Sequence, residues 1–123
     1  EAHRGCKVVQ ACVDSERQRG KQFTDRDGEP HFTANCLPLG EILTKAGLRG
    51  KTIDVLSVDV EHGEMKVLKG LPLEDFDIRF IIIEVTPGAT WLQVDTVLLP
   101  RGYAKVAILG RDVIYAKLGE LRR

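Results

Sequence analysis

Between Ile53 and Val85 two apolar runs flank a short charged stretch, and this spacing constrains the fold more than any other feature of the chain. Ile53-Asp54-Val55-Leu56-Ser57-Val58-Asp59-Val60 reads as a strand with apolar residues on both faces. A helix from about Glu61 to Lys69 follows, ended by Gly70 and Pro72. Ile78 to Val85 then holds the unbroken run Phe80-Ile81-Ile82-Ile83, the pattern of a strand covered on both faces, as in a parallel sheet. Strand, helix and strand in this order predict an α/β layered fold.

The flanks continue the alternation. Lys7 to Val13 is short and β-branched and reads as a strand. Asp14 to Asn35 is polar, with Phe23 and Phe32 as its large anchors around Asp27-Gly28, and predicts a loose hairpin or long loop. Leu39, Ile42, Leu43 and Ala46 fall at i, i+3, i+4 and i+7, an amphipathic helix with Pro38 at its first turn and Gly47 past its end. After Pro87-Gly88 a helix of about ten residues turns Trp91, Val94 and Leu98 inward and stops at Pro100-Arg101-Gly102. Tyr103 to Leu109 and Asp112 to Leu118 read as strands joined by a type II′ turn at Gly110-Arg111.

At 123 residues and 43% apolar content the chain fits one globular domain, residues 1–123. Its 18 basic and 18 acidic side chains cancel, which argues against a nucleic-acid partner. No apolar run approaches the roughly 20 residues that span a bilayer. No basic segment followed by an apolar one opens the chain, so no signal peptide is expected. Cys6, Cys12 and Cys36 are odd in number, lack a C-x-x-C pair and have no ligand-spaced histidine. They predict reduced thiols in a cytoplasmic setting.

Three apparent motifs fail. Gly50-Lys51-Thr52 has Lys45 where a P-loop needs glycine, Asp25-Arg26-Asp27-Gly28 lacks the rest of a calcium loop, and no G-x-G occurs. The informative stretch is Asp54 to Glu64. Its strand delivers Asp59 and Glu61 at the carboxyl end, the edge where ligands bind in open parallel sheets. Two residues apart on an extended chain, they point to the same side. The next strand ends in Glu84, a third carboxylate at that rim. Acidic residues also complement the positive end of a following helix, and for Glu64 that is the favoured role.

The run Ile53-Asp54-Val55-Leu56-Ser57-Val58-Asp59-Val60-Glu61, followed by Glu64, Val67-Leu68 and Lys69-Gly70, resembles the signature segment of FkbM-type methyltransferases. That segment reads roughly I-D-hydrophobic-L-x-x-D-V-E-G-x-E, then V-L-x-G. Cys36-Leu37-Pro38-Leu39, Ile81-Ile82-Ile83-Glu84, Gly102-Tyr103 and Asp112-Val113-Ile114-Tyr115 are similar to its flanks, and Ala11-Cys12-Val13-Asp14 to an earlier strand end. The family pattern sets glycine directly after D-x-E, whereas His62 precedes Gly63 here. The glycine-rich turn and acidic second strand that bind S-adenosylmethionine in the family have no counterpart in the sequence.

The resemblance implies a partial Rossmann-like methyltransferase sheet. The class I order is 3-2-1-4-5-7-6 with strand 7 antiparallel, and the chain would supply strands 3, 4, 5, 6 and 7, ending in the antiparallel hairpin. Residues 1–123 are thus expected to be the carboxyl-terminal portion of a methyltransferase domain. The open edge of strand 4 would be covered by strand 3, by a partner or by self-association. The implied activity is methyl transfer from S-adenosylmethionine to a small-molecule hydroxyl acceptor. Asp59 would lie near donor and acceptor, Glu61 would serve as general base, and Glu84 would hold the acceptor. Ala11, Cys12 and Asp14 would lie beside the adenine. A divalent cation between Asp59 and Glu84 is disfavoured, because no further ligand signal accompanies them. The alternatives are an inactive α/β interaction module or a receiver-like signalling domain with Asp59 as phosphoacceptor.

Overall fold

The structure is a computed structural model and describes residues 6, 9–24, 27–60, 63–85 and 89–122. Its strands are β1 (Cys12–Val13), β2 (Gln18–Thr24), β3 (Pro30–Leu37), β4 (Thr52–Val58), β5 (Asp77–Glu84), β6 (Tyr103–Leu109) and β7 (Asp112–Lys117). Helices α1 (Leu39–Lys45), α2 (Glu64–Lys69) and α3 (Ala89–Leu98) lie between them, with 3-10 turns at Leu73–Asp75, Leu99–Arg101 and Leu118–Arg122. The result is an α/β fold with two mixed sheets, one ordered β1-β3-β2 and the other β4-β5-β7-β6.

The larger sheet follows from the apolar runs. β4 and β5 pair in parallel, with Val55 opposite Phe80 and Val58 opposite Ile83, and α2 makes the crossover that a parallel pair requires. β7 then joins β5 antiparallel, and β6 returns beside β7. Leu109 pairs with Asp112, so the turn is Gly110-Arg111 alone. Gly110 has φ of 66°, a left-handed conformation that a residue with a Cβ rarely adopts. This mixed sheet is not the all-parallel sheet of a receiver domain, so the topology does not favour that alternative.

Ile81, Ile83 and Val85 are fully buried with Val113 and Tyr115, in one cluster with Val67 and Leu68 of α2 and Val94 and Leu98 of α3. The opposite face is different. Ile78 at the start of β5 is fully buried, but Phe80 and Ile82 are only half-buried and Val55 is 52% exposed, so the cover of β4 and β5 on this face is partial. An unbroken apolar run does not by itself specify two-sided cover, and the buried residues of α2 and α3 meet a single side of the sheet.

The smaller sheet corrects two expectations. The first strand is only Cys12–Val13, within the Lys7–Val13 reading, and residues 7 and 8 lie outside the described residues. It pairs in parallel with β3, setting Cys12 beside Cys36, and the two form a disulfide. The expectation of reduced thiols therefore fails at these two positions, and Cys6 remains a free, exposed thiol. The polar stretch folds as an antiparallel hairpin, with Phe23 opposite Phe32 and their rings stacked 4.9 Å apart. β1 belongs to this sheet and does not cover β4, whose pairing among the described residues is with β5 alone.

Candidate functional site

Parallel pairing brings the carboxyl ends of β4 and β5 to one rim. Asp59 follows Val58 at the end of β4, and Glu84 closes β5 one register step beyond the Val58–Ile83 pair. These two carboxylate-bearing positions are therefore strand neighbours, as the sequence predicts. Asp59 is exposed, whereas Glu84 is half-buried and its backbone faces Asp112 of β7. Glu61 lies outside the described residues.

Below Asp59 is a cleft of about 290 Å³, lined by Val13, Leu39, Leu56 and Val67 among others. Its walls come from the end of β1, the start of α1, the end of β4 and the body of α2. The end of β1 therefore faces the end of β4, but not through the residues expected. Ala11 and Cys12 line a separate cleft of about 550 Å³ with Gln10, Phe23, Phe32 and Asn35. A third cleft, also about 550 Å³, lies at Lys69, Gly70 and Arg101 and contains none of the candidate site residues.

Asp14 is held elsewhere. It is 2% exposed, and its carboxylate accepts from the Lys21 ammonium at 2.7 Å, the Ser15 backbone N–H at 2.7 Å and the Gln18 amide at 3.1 Å. The Lys21 and Ser15 bonds hold the Asp14 carboxyl below its ordinary range, against the upward pull of burial. The Asp14 carboxylate thus stabilises the fold around β1 and β2. The sequence reading missed Lys21, since its approach to Asp14 depends on how the hairpin folds back.

Cys12, Asp14 and Cys36 place ligand-type atoms within 4.8 Å of one another. Both sulfurs are joined in the disulfide and Asp14 is occupied by Lys21, so this cluster does not offer the thiolates a metal site would use. The parallel pairing of Cys12-Val13 with Cys36-Leu37 sets the two sulfurs side by side, a register that no local pattern in the sequence announces.

Two further groups lie on the helices that follow the two strand ends. Glu64 opens α2, inside the expected Glu61–Lys69 helix; it is 3% exposed and its Oε2 has no hydrogen-bond partner among the described residues. Asp95 of α3 accepts from the Tyr115 hydroxyl at 2.6 Å and from Lys105 at 2.9 Å, fixing α3 to β6 and β7. Burial raises the Asp95 carboxyl, but the two bonds outweigh it and hold the group below its ordinary value. This anchor secures the helix that follows Glu84.

Asp59, which lines the Val13–Val67 cleft, and Glu84 thus stand at neighbouring strand ends, the edge at which ligands bind in open α/β sheets. No curated protein and no solved structure matches the chain. The family model described as the methyltransferase FkbM domain matches residues 7–104, which include β1 to α3, the rim and the cleft. The chain belongs to the FkbM methyltransferase family.

Proposed function

We propose that the chain is the carboxyl-terminal portion of an S-adenosylmethionine-dependent methyltransferase domain that methylates a hydroxyl oxygen. The observation that carries this reading is the FkbM-domain match over residues 7–104. The sheet order supports the finer assignment. The order β4-β5-β7-β6 with β7 antiparallel is similar to that of strands 4, 5, 7 and 6 of the methyltransferase sheet; on this reading β1, which lies in the smaller sheet, would be strand 3.

The described residues fit S-adenosylmethionine as one wall of a pocket. The cleft under Asp59 is apolar at Val13, Leu56 and Val67 and carries a carboxylate at its mouth. Ala11 and Cys12 would reach the adenine only from their own neighbouring cleft, and Asp14 would act through the backbone it fixes. S-adenosylmethionine supplies a methyl group made electrophilic by its sulfonium.

The chain's own residues position the acceptor. Asp59 accepts a hydrogen bond from the acceptor hydroxyl and orients its oxygen, with Glu61 as the general base that takes the proton. Glu84, on the adjacent strand, holds a second polar group of the acceptor. Much of the acceleration in such a displacement comes from fixing two reactants in line.

Calorimetric titration with S-adenosylhomocysteine tests the reading. The isolated 123-residue chain should bind in the millimolar range or more weakly, on the order of −4 kcal/mol. The same protein extended upstream through the glycine-rich turn should bind micromolar ligand. Micromolar binding by the isolated chain would overturn the one-wall assignment, and absence of binding by the extended form would overturn the cofactor.

A further inference from the structure

The smaller sheet holds a cluster that the methyl-transfer site does not use. Parallel pairing of β1 with β3 sets Cys12 beside Cys36, with their Cα atoms 4.3 Å apart, and Asp14 directly follows β1. The two sulfurs and a carboxylate oxygen of Asp14 all lie within 4.8 Å of one another. Cys36 is 0% exposed and Asp14 is 2% exposed, so both are sealed from water. Cys12 is half-buried and lines the cleft of about 550 Å³ beside Gln10, Phe23 and Asn35, which gives a path to it from solvent.

The disulfide withholds thiolates from this cluster, and reduction returns them. A thiolate of a dithiol reductant attacks one sulfur of the bond, its second thiol resolves the mixed disulfide, and the reductant leaves as its own disulfide. Two electrons and two protons pass to the pair, so Cys12 and Cys36 become thiols. Metal binding then releases those two protons. Two thiolate sulfurs and a carboxylate oxygen are a donor set that suits zinc. Tetrahedral zinc, with bonds of about 2.3 Å to sulfur and about 2.1 Å to oxygen, needs its donors about 3.6–3.8 Å apart. All three donors already lie within 4.8 Å, so side-chain rotation reaches that spacing once the sulfurs are released.

Charge and outer contacts agree with this. Lys21 and Gln18 both bond Asp14 Oδ2, whereas Oδ1 meets only Ser15 among the described residues and is the donor left for a metal. Such bonds orient a ligating carboxylate. Two thiolates and one carboxylate carry three negative charges, which zinc and the Lys21 ammonium, 2.7 Å from Asp14, cancel together. A buried cluster without net charge avoids the cost of an uncompensated ion.

We propose that reduced Cys12 and Cys36, with Asp14, hold a zinc ion whose coordination water completes. Disulfide and zinc are thus alternative links between β1 and β3, one for each redox state. Either keeps Val13 in the wall of the cleft under Asp59. The inference is independent of the methyl-transfer reading, since neither methyl donor nor acceptor takes part in it.

Zinc titration of the 123-residue chain against a chromophoric chelator tests the proposal, with the chain reduced by a phosphine in the absence of air and again in its oxidised form. The reduced chain should take one zinc, bound more tightly than micromolar, and should unfold at a higher temperature with zinc than without. The oxidised chain should take none, and this comparison needs no substitution. Cobalt in place of zinc should give the absorption of a tetrahedral thiolate complex. Cys12→Ser and Cys36→Ser should each abolish tight binding. Asp14→Asn should weaken it about tenfold or more, the scale on which loss of even an outer partner of a metal ligand is felt. Cys6→Ser should bind as the parent does, with circular dichroism reporting the fold of each variant. Absence of tight zinc binding by the reduced chain would overturn the proposal. So would equal binding by the oxidised chain, an unfolding temperature that zinc leaves unchanged, or binding that survives Asp14→Asn and fails in Cys6→Ser.

Discussion

Gly70 closes directly on the backbone of Asp14: a Cβ at position 70 would stand 2.7 Å from the Asp14 carbonyl oxygen and 3.1 Å from Pro38. The Gly70 carbonyl in turn accepts from the Gly40 backbone N–H at 2.8 Å. This one residue thus joins the end of α2 to β1 and to the start of α1. It gives the glycine of the V-L-x-G segment a packing role, since the close approach leaves no room for a side chain.

Gly70→Ala should therefore destabilise the fold by about 1–3 kcal/mol, the usual cost of forcing an extra carbon into a filled site. Urea denaturation of the variant beside the parent checks this. An unchanged midpoint would mean that β1 and α2 are not in register as described.

Reduction of the Cys12–Cys36 disulfide should cost about 3 kcal/mol, because it releases a loop of 24 residues in sequence separation to the unfolded ensemble. Equilibrium unfolding with and without reductant measures it. Cys6 should react with a thiol reagent in the native, oxidised protein, while Cys12 and Cys36 should not.

Acid should weaken the protein through Asp14 and Asp95. Both carboxyls are held below the ordinary aspartate value of 3.8, Asp14 chiefly by its bond from Lys21 and Asp95 by Tyr115 and Lys105 against burial. A group with a depressed folded value binds its proton more readily in the unfolded chain. Its stabilisation is therefore complete above 3.8 and is lost as pH falls through the folded value. Unfolding midpoints measured from neutral pH down through 3.8 should drop, and Asp14→Asn should flatten that drop.

The core face and the open face of β5 should separate cleanly. Ile81 is 0% exposed within the core cluster, so Ile81→Ala should cost about 2–5 kcal/mol. Ile82, half-buried on the opposite face, should cost less than Ile81 when replaced by Ala, as read from the two unfolding midpoints. Equal costs would contradict one-sided cover.

These elements show what is readable in a sequence of this kind. The Ile78–Val85 run appears as Asp77–Glu84, and the 39–46 stripe appears as Leu39–Lys45, because local periodicity and helix-end residues specify both. The rim position of Asp59 and Glu84 was legible for the same reason: two strands joined by a crossover helix end on the same side. The disulfide, the burial of Asp14 and the partial cover over Val55 and Ile82 depend on contacts between distant segments. Lys21 meets Asp14 only once β2 is in place, and Cys12 meets Cys36 only once β1 and β3 lie parallel. Spacing along the chain carries no record of either event.

The central claim is that Asp59 serves methyl transfer at the end of β4. The most direct test follows the labelled methyl group of S-adenosylmethionine into a hydroxyl acceptor, comparing the upstream-extended domain with its Asp59→Ala variant. The parent should transfer the label, and the variant should lose turnover while its stability changes by no more than about 1 kcal/mol, as suits an exposed residue past a strand end. Undiminished transfer by Asp59→Ala, or loss of turnover only through loss of the fold, would contradict the account.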